Sequence, residues 1–279
     1  MLRNAICCAT TWGAARSWWP RGRAVLKFSV ELAPSGTAGK APAYARLLRA
    51  CGMAQSSLTV PSRIEMTPVS TGFESLVFRF NYDGTRYASR GARGKAKLKT
   101  PGYKIPLIEF EFHGFDTLAI AEAVPATNYA AYARPPVLSD AVTADLRTGA
   151  SYAAAVLTGG TPYPSRGLEV DLGNTLNHLK LWGGEAIEIT NRSVLGSTTV
   201  FLTAAQEVTW RDEVNANTLT SVGFSFGLTA GNRFTLFGPS VQRIDPKVIE
   251  DEGRIMLQTE LAFLPLATTG NDELRLVFH

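Results

Sequence analysis

Apolar and polar residues alternate along most of the chain, and this two-residue period is typical of half-buried β-strands. The alternating runs that we predict to be strands are 26–32, 76–82, 108–112, 168–172, 200–202, 224–228 and 257–261. The dipeptide Asp83-Gly84 follows the second run and favours a tight hairpin turn. Gly173-Asn174 marks a turn after the fourth run, and two further strand-like runs follow it up to residue 190. The pattern predicts a mainly β protein.

One segment has the period of a helix. Residues 41–52 read APAYARLLRACG and place Tyr44, Leu47, Leu48 and Cys51 on one helical face. Pro42 suits the first turn of a helix, and Gly52 suits its C-terminal cap. We therefore predict one short α-helix here.

The two halves of the chain resemble each other. Residues 74–94 align with 220–240, so that Phe78 and Phe80 meet Phe224 and Phe226, and the turn glycines coincide. The runs 27–32 and 108–112 align with 199–204 and 257–261. This order predicts an internal duplication of one β unit, although chance agreement between alternating strands remains the alternative.

The duplication divides the chain into four parts. We predict an N-terminal arm (1–22), a first β domain (23–120), a linker (121–136) and a second β domain (137–279). The linker is rich in proline and alanine, which favours an extended conformation. The second copy carries additional strand-like residues at 167–190 that have no counterpart in the first copy.

Composition limits the possible functions. The chain has 279 residues, of which 45% are hydrophobic and 19% charged, and a net charge of +4. These values are typical of a globular protein and too weakly basic to imply nucleic-acid binding by themselves. No apolar run reaches the 18 residues of a membrane helix.

Few residues of the chain are arranged as catalytic or metal-binding groups would be. Three cysteines and three histidines lack the spacing of a disulfide framework or zinc site. Glu109 and Glu111 share one strand face, but a polar face explains this pair better than a catalytic dyad. No nucleophile or phosphate-loop motif is present. We therefore expect neither enzyme activity nor a cofactor.

A basic run is followed, at the equivalent place in the second half, by an acidic one. Residues 90–104 contain six basic residues and no acidic residue, whereas 238–254 have a net charge of −1. The basic run is interpreted either as a nucleic-acid patch or as a loop that contacts another subunit. For the second case we predict ion pairs across a subunit boundary. They would join Arg93, Lys95, Lys97 or Lys99 to Glu250, Asp251 or Glu252.

The N-terminal arm carries three large aromatic side chains on a short segment, those of Trp12, Trp18 and Trp19. Because such side chains are costly to leave in water, we predict that the arm docks on another subunit. A signal peptide is the alternative, although Thr10, Thr11 and Arg16 interrupt the required pattern.

Three segments resemble the major tail tube proteins of long, non-contractile-tailed bacteriophages, in particular those of transposable phages. They are FSVELAPSGTAGKAPAYARLLRACGM (28–53), the block 67–114 and DLGNTLNHLKLWGGEAIEITNRSVLGSTTVF (171–201). The family usually has a longer β segment at the N-terminus than residues 1–22 offer.

The resemblance implies two tandem tube-like β-sandwich or barrel domains, with one short α-helix in the first. It also implies stacked rings that form a conduit for double-stranded DNA in the virion tail, assembled in the host cytoplasm and bounded by other tail proteins. With a duplicated fold, three chains would make a pseudo-sixfold ring. Glu109 and Glu111 are then candidates for a neutral or acidic lumen.

Two other classes remain open. A monomeric β-sandwich binding module, such as an adhesin or carbohydrate binder, would not form rings or filaments. A nucleic-acid-binding protein that uses residues 90–104 would show steeply salt-dependent affinity.

Overall fold

The computed structural model describes residues 22–139 and 145–279. Within these ranges it contains seventeen strands and two helices, so the prediction of a mainly β protein is confirmed. None of the helices in the described ranges is long and apolar enough to cross a membrane.

The elements of the first half are β1 (Arg23–Glu31), α1 (Ala45–Ala50), β2 (Met53–Thr59), β3 (Ser62–Pro68), β4 (Leu76–Tyr82), β5 (Thr85–Pro101), β6 (Leu107–Asp116) and β7 (Ile120–Ala121). Those of the second half are β8 (Asp145–Ala153), β9 (Val156–Pro162), β10 (Ser165–Asp171), β11 (Asn174–Leu181), β12 (Gly184–Arg192), β13 (Leu195–Val200), α2 (Ala204–Asn215), β14 (Leu219–Phe226), β15 (Phe234–Asp251), β16 (Arg254–Leu264) and β17 (Arg275–Phe278).

Fifteen strands form one open sheet, and β11 and β12 form a separate hairpin. The main path of the sheet runs β1-β6-β5-β10-β13-β16-β15-β14-β8-β9. All pairings along this path are antiparallel. Strands β1 and β9 therefore lie at its two ends.

The two halves have the same pairing order. Strands β1, β6, β5 and β4 are neighbours in the first half, as β13, β16, β15 and β14 are in the second. A helix follows the first strand of each set, and the third strand is the longest, with 17 residues in β5 and 18 in β15. Strand β10 joins the two sets by pairing with both β5 and β13. Because both sets share one sheet, the division into two tandem domains stays a prediction.

The predicted helix is present in a shortened form as α1. Gly52 follows it with a φ of +81°, the left-handed conformation expected of a C-terminal cap. Leu48 and Cys51 are fully buried. The Sγ of Cys51 lies close to Gly94, where a Cβ would also meet the ring of Phe112, so α1 covers the apolar side of β5 and β6.

Two sequence-based interpretations are wrong. The basic run 90–104 is not a loop, because most of it lies in β5. The period-two pattern of β5 was not apparent in the sequence, because the residues that point into the core are small. They are Ala92, Gly94 and Ala96. A Cβ at Gly94 would come within 2.5 Å of Phe112, so only a small residue fits there.

The second error is the missing helix α2. It begins with a capping box between Thr203 and Gln206. Its one buried side chain is Trp210, which meets the ring of Tyr163 edge-on at 5.3 Å and lies under the guanidinium of Arg243 at 4.2 Å. A single anchoring residue produces no helical stripe of apolar positions, which is why the sequence pattern did not reveal α2.

Candidate assembly surfaces

One face of the central sheet is lined by charged side chains. Alternation in β1, β6, β5, β10, β16 and β15 sends apolar residues to the core and polar residues to the opposite face, away from α1 and α2. We call this the charged face. It comprises Lys27, Glu31, Lys95, Lys97, Lys99, Glu109, Glu111, Glu169, Asp171, Lys247 and Glu260. Five lysines and six carboxylates leave it with a net charge of −1.

The charges of this face alternate across neighbouring strands and form ion pairs. Lys27 Nζ lies 3.0 Å from Glu111 Oε2, Lys99 Nζ lies 2.7 Å from Glu109 Oε1, and Lys97 Nζ lies 2.6 Å from the carboxylate of Glu169. Each of these pairs joins adjacent strands of the sheet. The candidate lumen residues Glu109 and Glu111 are therefore brought together on one face, as their spacing predicted.

Ionisation of the face follows from these contacts. Hydrogen bonds from His113 and from Lys27 hold the pKa of Glu111 below its usual range, despite partial burial. The hydrogen bond to Glu109 raises the pKa of Lys99. Glu111 and Lys99 are therefore charged at neutral pH, and each lies in an ion pair with a side chain of an adjacent strand.

Five of the seven residues predicted to pair across a subunit boundary have partners within the chain. Arg93 donates hydrogen bonds to the carbonyl oxygens of Ile187, at 2.8 Å, and Phe73, at 3.1 Å. Arg166 binds the carboxylates of Asp251, at 2.5 Å, and Glu252, at 2.6 Å.

The other two residues predicted to form ion pairs between subunits are Lys95 on β5 and Glu250 on β15. Pairing across a subunit boundary stays a prediction for all seven residues. For Lys97, Lys99, Asp251 and Glu252 it would require exchange of existing partners. Trp12, Trp18 and Trp19 lie outside the described residues.

The second half of β15 is an exposed edge. Strand β14 pairs with β15 only as far as Gln242, and within the described ranges no strand is paired beyond that point on the same side. Val248 retains 54% of its surface in contact with solvent, and Ile244 and Ile255 are also exposed. At the other end of the path, β1 is paired with β6 and with no other strand of the described residues. Unpaired edges of this kind are ready-made sites for adding another strand.

The β11–β12 hairpin is a further candidate surface for contact with another subunit. Its tip carries Leu181 and Trp182, and the Trp182 side chain is fully exposed. The predictions from sequence did not single out Trp182. The sequence did contain a signal for this exposed residue. Trp182 precedes Gly183-Gly184 at the turn between two polar strands, where no apolar core is available to bury it.

No group of three or more histidine, cysteine, aspartate or glutamate residues within 22–139 and 145–279 is arranged to hold a metal ion. The chain matches no protein-family model, and no curated protein is significantly similar to it in sequence.

Proposed function

We propose that this chain is a structural virion protein that polymerises into stacked rings and forms the tube of a long phage tail. The tube would guide double-stranded DNA into the host, and other tail proteins would bind at its ends. Three copies would make one ring. The proposal takes up the sequence resemblance described above.

The repeated strand order within one open sheet carries the proposal. Each half contributes the same neighbouring strands, and β10 joins them edge to edge. Three copies joined in the same way would give six quasi-equivalent units and would cover the edges that β1 and the second half of β15 leave open in the single chain. Closing a sheet through neighbouring subunits removes edges that otherwise promote aggregation. Head-to-tail stacking of such rings generates an open filament.

The charged face supports a role as the wall of the channel. A duplex carries a dense row of phosphates, and lysines that bound them would hold the DNA back. Here Lys27, Lys97 and Lys99 are each paired with a carboxylate. The resulting surface is hydrated and nearly neutral, which suits passage without binding.

Electron microscopy and mass measurement of the purified full-length protein test the proposal. We expect rings or tubes whose smallest closed unit has the mass of three chains. Rings of six chains would contradict the stoichiometry. A protein that remains monomeric at all concentrations and salt conditions would contradict the function and favour a binding module.

A further inference from the structure

We propose that the turn between β15 and β16 of one copy docks into a hollow at the end of β1 in the next copy of the same chain. The inference rests on the proposed function, because it needs assembled copies. It deepens that function by naming the two surfaces that meet.

The hollow beside the end of β1 is largely apolar. Its volume is about 450 Å³. Its walls come from β1, from the loop and first residue around the start of α1, and from the segment that follows β7. They include Val30, Ala33, Pro34, Tyr44, Tyr129 and Tyr132. We call this space the β1 hollow.

One polar group of the β1 hollow is buried without a partner. Tyr44 is 2% exposed, and its hydroxyl has no hydrogen-bond partner among the described residues. Burial raises the pKa of this hydroxyl, so it stays protonated and able to donate. A buried donor without an acceptor is costly. An occupant of the β1 hollow that carries an acceptor would remove this cost.

The turn between β15 and β16 presents a matching surface. Val248 and Ile255 are large apolar residues that retain 54% and 59% of their exposure to solvent. In the ladder Val248 pairs with Leu257, and Glu250 pairs with Ile255. Because positions two apart along a strand share a face, Val248, Glu250 and Ile255 lie on one side of the sheet. Leu257 is buried, so this is the side on which the core lies.

Glu250 supplies the acceptor that the hydroxyl of Tyr44 lacks. Glu250 is exposed and forms no ion pair with another residue of the described ranges. Its carboxylate lies between the apolar side chains of Val248 and Ile255. When these two side chains enter the β1 hollow, the Tyr44 hydroxyl donates to Glu250. Hydrogen bonds to a charged acceptor are among the stronger ones in proteins.

Strand direction brings the two surfaces to the same rim of a ring. The strands β1, β6, β5, β10, β13, β16 and β15 alternate in direction, so β1 and β15 run the same way. Copies related by rotation keep this direction. The end of β15 in one copy and the end of β1 in the next therefore lie at one rim. The contact is made by side chains and needs no pairing between the two strands.

The junction inside the chain shows how such ends are buried. Leu98 of β5 and Val248 of β15 occupy equivalent rows of their ladders, and so do Val200 of β13 and Val30 of β1. Leu98 and Val200 are fully buried where the two halves meet through β10. Val248 is exposed and Val30 only half-buried. The two ends of the chain thus expose the surfaces that the central junction buries.

The charges of the two surfaces have opposite signs. Residues 248–255 contain three carboxylates and one arginine, a net charge of −2. The segments around the β1 hollow, 29–44 and 129–134, contain two basic residues and one acidic residue, a net charge of +1. Opposite charge favours the meeting of unlike ends and disfavours two like ends.

Cross-linking between two populations of the full-length chain tests the contact. Both populations carry Cys7→Ser and Cys8→Ser and keep the buried Cys51. One population adds Tyr132→Cys in the β1 hollow, and the other adds Ile255→Cys in the turn. After the populations are mixed, assembled and treated with a short bismaleimide, we expect a covalent dimer that contains one chain of each kind.

The matched control replaces Ile255→Cys with Val208→Cys, an equally exposed position on α2. It should give less dimer by roughly tenfold or more, a difference in contact frequency equivalent to about 1.4 kcal/mol. Equal yields from the two pairs would overturn the docking.

A double-mutant cycle tests the hydrogen bond. Tyr44→Phe and Glu250→Ala should each raise the concentration needed for assembly by roughly tenfold, and the double variant should raise it no further. The Tyr44 hydroxyl has no partner in the single chain, so Tyr44→Phe should not destabilise the dissociated protein in urea titrations. Tyr82→Phe, at an exposed tyrosine outside the β1 hollow, is the control and should leave assembly unchanged. Effects that multiply in the double variant, or no effect in either single one, would contradict the bond.

The outcomes separate this proposal from the proposed function. Rings that form without the cross-link between residues 132 and 255 overturn the docking and leave the ring intact. Absence of any assembly by the unaltered chain overturns both proposals.

Discussion

At the scale of single residues, Asn174 holds together parts of the chain that are distant in sequence. Its buried Nδ2 donates to the carbonyl of Cys51 at 2.6 Å and to that of Gly94 at 3.0 Å. These bonds link the end of α1, the middle of β5 and the start of β11. The sequence marked Asn174 only as part of a turn with Gly173. Its bonds to the carbonyl groups of Cys51 and Gly94 depend on the tertiary structure, which brings these groups near it.

Replacing Asn174 should therefore destabilise the fold. Asn174→Ala leaves two buried carbonyl groups without their donor, and we expect a loss of about 2–3 kcal/mol in the free energy of unfolding. Urea titration followed by circular dichroism measures the loss. Asn177→Ala on the same strand is the control, because Asn177 is exposed and bonds only Thr190. Equal losses in both variants would argue against this role for Asn174.

Glu65 is a buried carboxylate at a junction of β3, β8 and β17. It accepts hydrogen bonds from Arg63 at 2.6 Å and Tyr152 at 2.7 Å, and Arg275 lies 3.1 Å from its other oxygen. Burial is the largest single influence and by itself raises the pKa of Glu65. The hydrogen bonds and the charge of Arg275 outweigh it, so the pKa lies below the usual value of 4.5.

This pKa predicts how stability changes in acid. A carboxylate whose pKa is lowered by folding stabilises the fold above its unfolded pKa, and the stabilisation is lost as the pH falls through the folded pKa. We expect Glu65→Gln to cost about 3 kcal/mol at pH 7 and to weaken the decline in stability below about pH 4.5. Denaturant titrations at pH 7 and pH 3 measure both effects. The exposed Glu74, which pairs with Arg49, provides the control variant Glu74→Gln, which should change neither by more than about 0.5 kcal/mol.

At the scale of elements, β10 is the strand on which the continuity of the sheet depends. Gly167 has a φ of +131°, and a Cβ there would lie 2.2 Å from the carbonyl oxygen of Thr100. This glycine allows β10 to approach β5 at the point where the two halves meet. The sequence predicted the strand at 168–172 but not its neighbours, because both of its partners are far away along the chain.

A side chain at residue 167 should open this junction. We expect Gly167→Ala to lower the free energy of unfolding by about 2 kcal/mol or more through backbone strain and loss of pairing. Amide exchange in residues 97–101 should accelerate at the same time. Gly184→Ala is the control, since a Cβ there meets nothing within 4 Å. Unchanged exchange at 97–101 in the Gly167 variant would contradict the importance of this contact.

At the scale of the whole molecule, the charged face combines a basic strand with acidic neighbours. The sequence showed the basic residues of 90–104 as one run, which suggested a nucleic-acid patch. The sheet places carboxylates from β6 and β10 beside Lys97 and Lys99. Two of the six basic residues of the run are therefore paired with carboxylates that lie elsewhere in the sequence.

Removing the carboxylates should expose the basic character. The triple variant Glu109→Gln, Glu111→Gln and Glu169→Gln changes the net charge of the face from −1 to +2. We expect tighter binding to duplex DNA, with a log–log salt dependence steeper by up to about 3. Fluorescence anisotropy with a labelled duplex at low and moderate salt measures it.

The control makes the same change in net charge at positions outside the charged face, as Glu185→Gln, Glu188→Gln and Glu207→Gln. This control should change the affinity for duplex DNA much less than the first triple variant does. Equal gains in the two triple variants would mean that total charge, and not the charged face, governs DNA binding.

The sequence by itself determined the features that depend on near neighbours. Period-two alternation identified β1, β4, β6, β10, β14 and β16, in whole or in part, and the polar side of each, because successive side chains point to opposite faces. Turn residues such as Asp83-Gly84, both with positive φ, and the cap at Gly52 are equally local.

Only the tertiary structure decided which strands are neighbours and which charges meet. Pairing between β5, β10 and β13 joins residues 24 to 74 positions apart, and no local pattern encodes a partner at that distance. The same holds for the core position of Gly94 in β5, where a small residue is required because Phe112 occupies the space above it. A small residue has no apolar signature of its own, so its place in the core is set by the size of the side chain that packs against it.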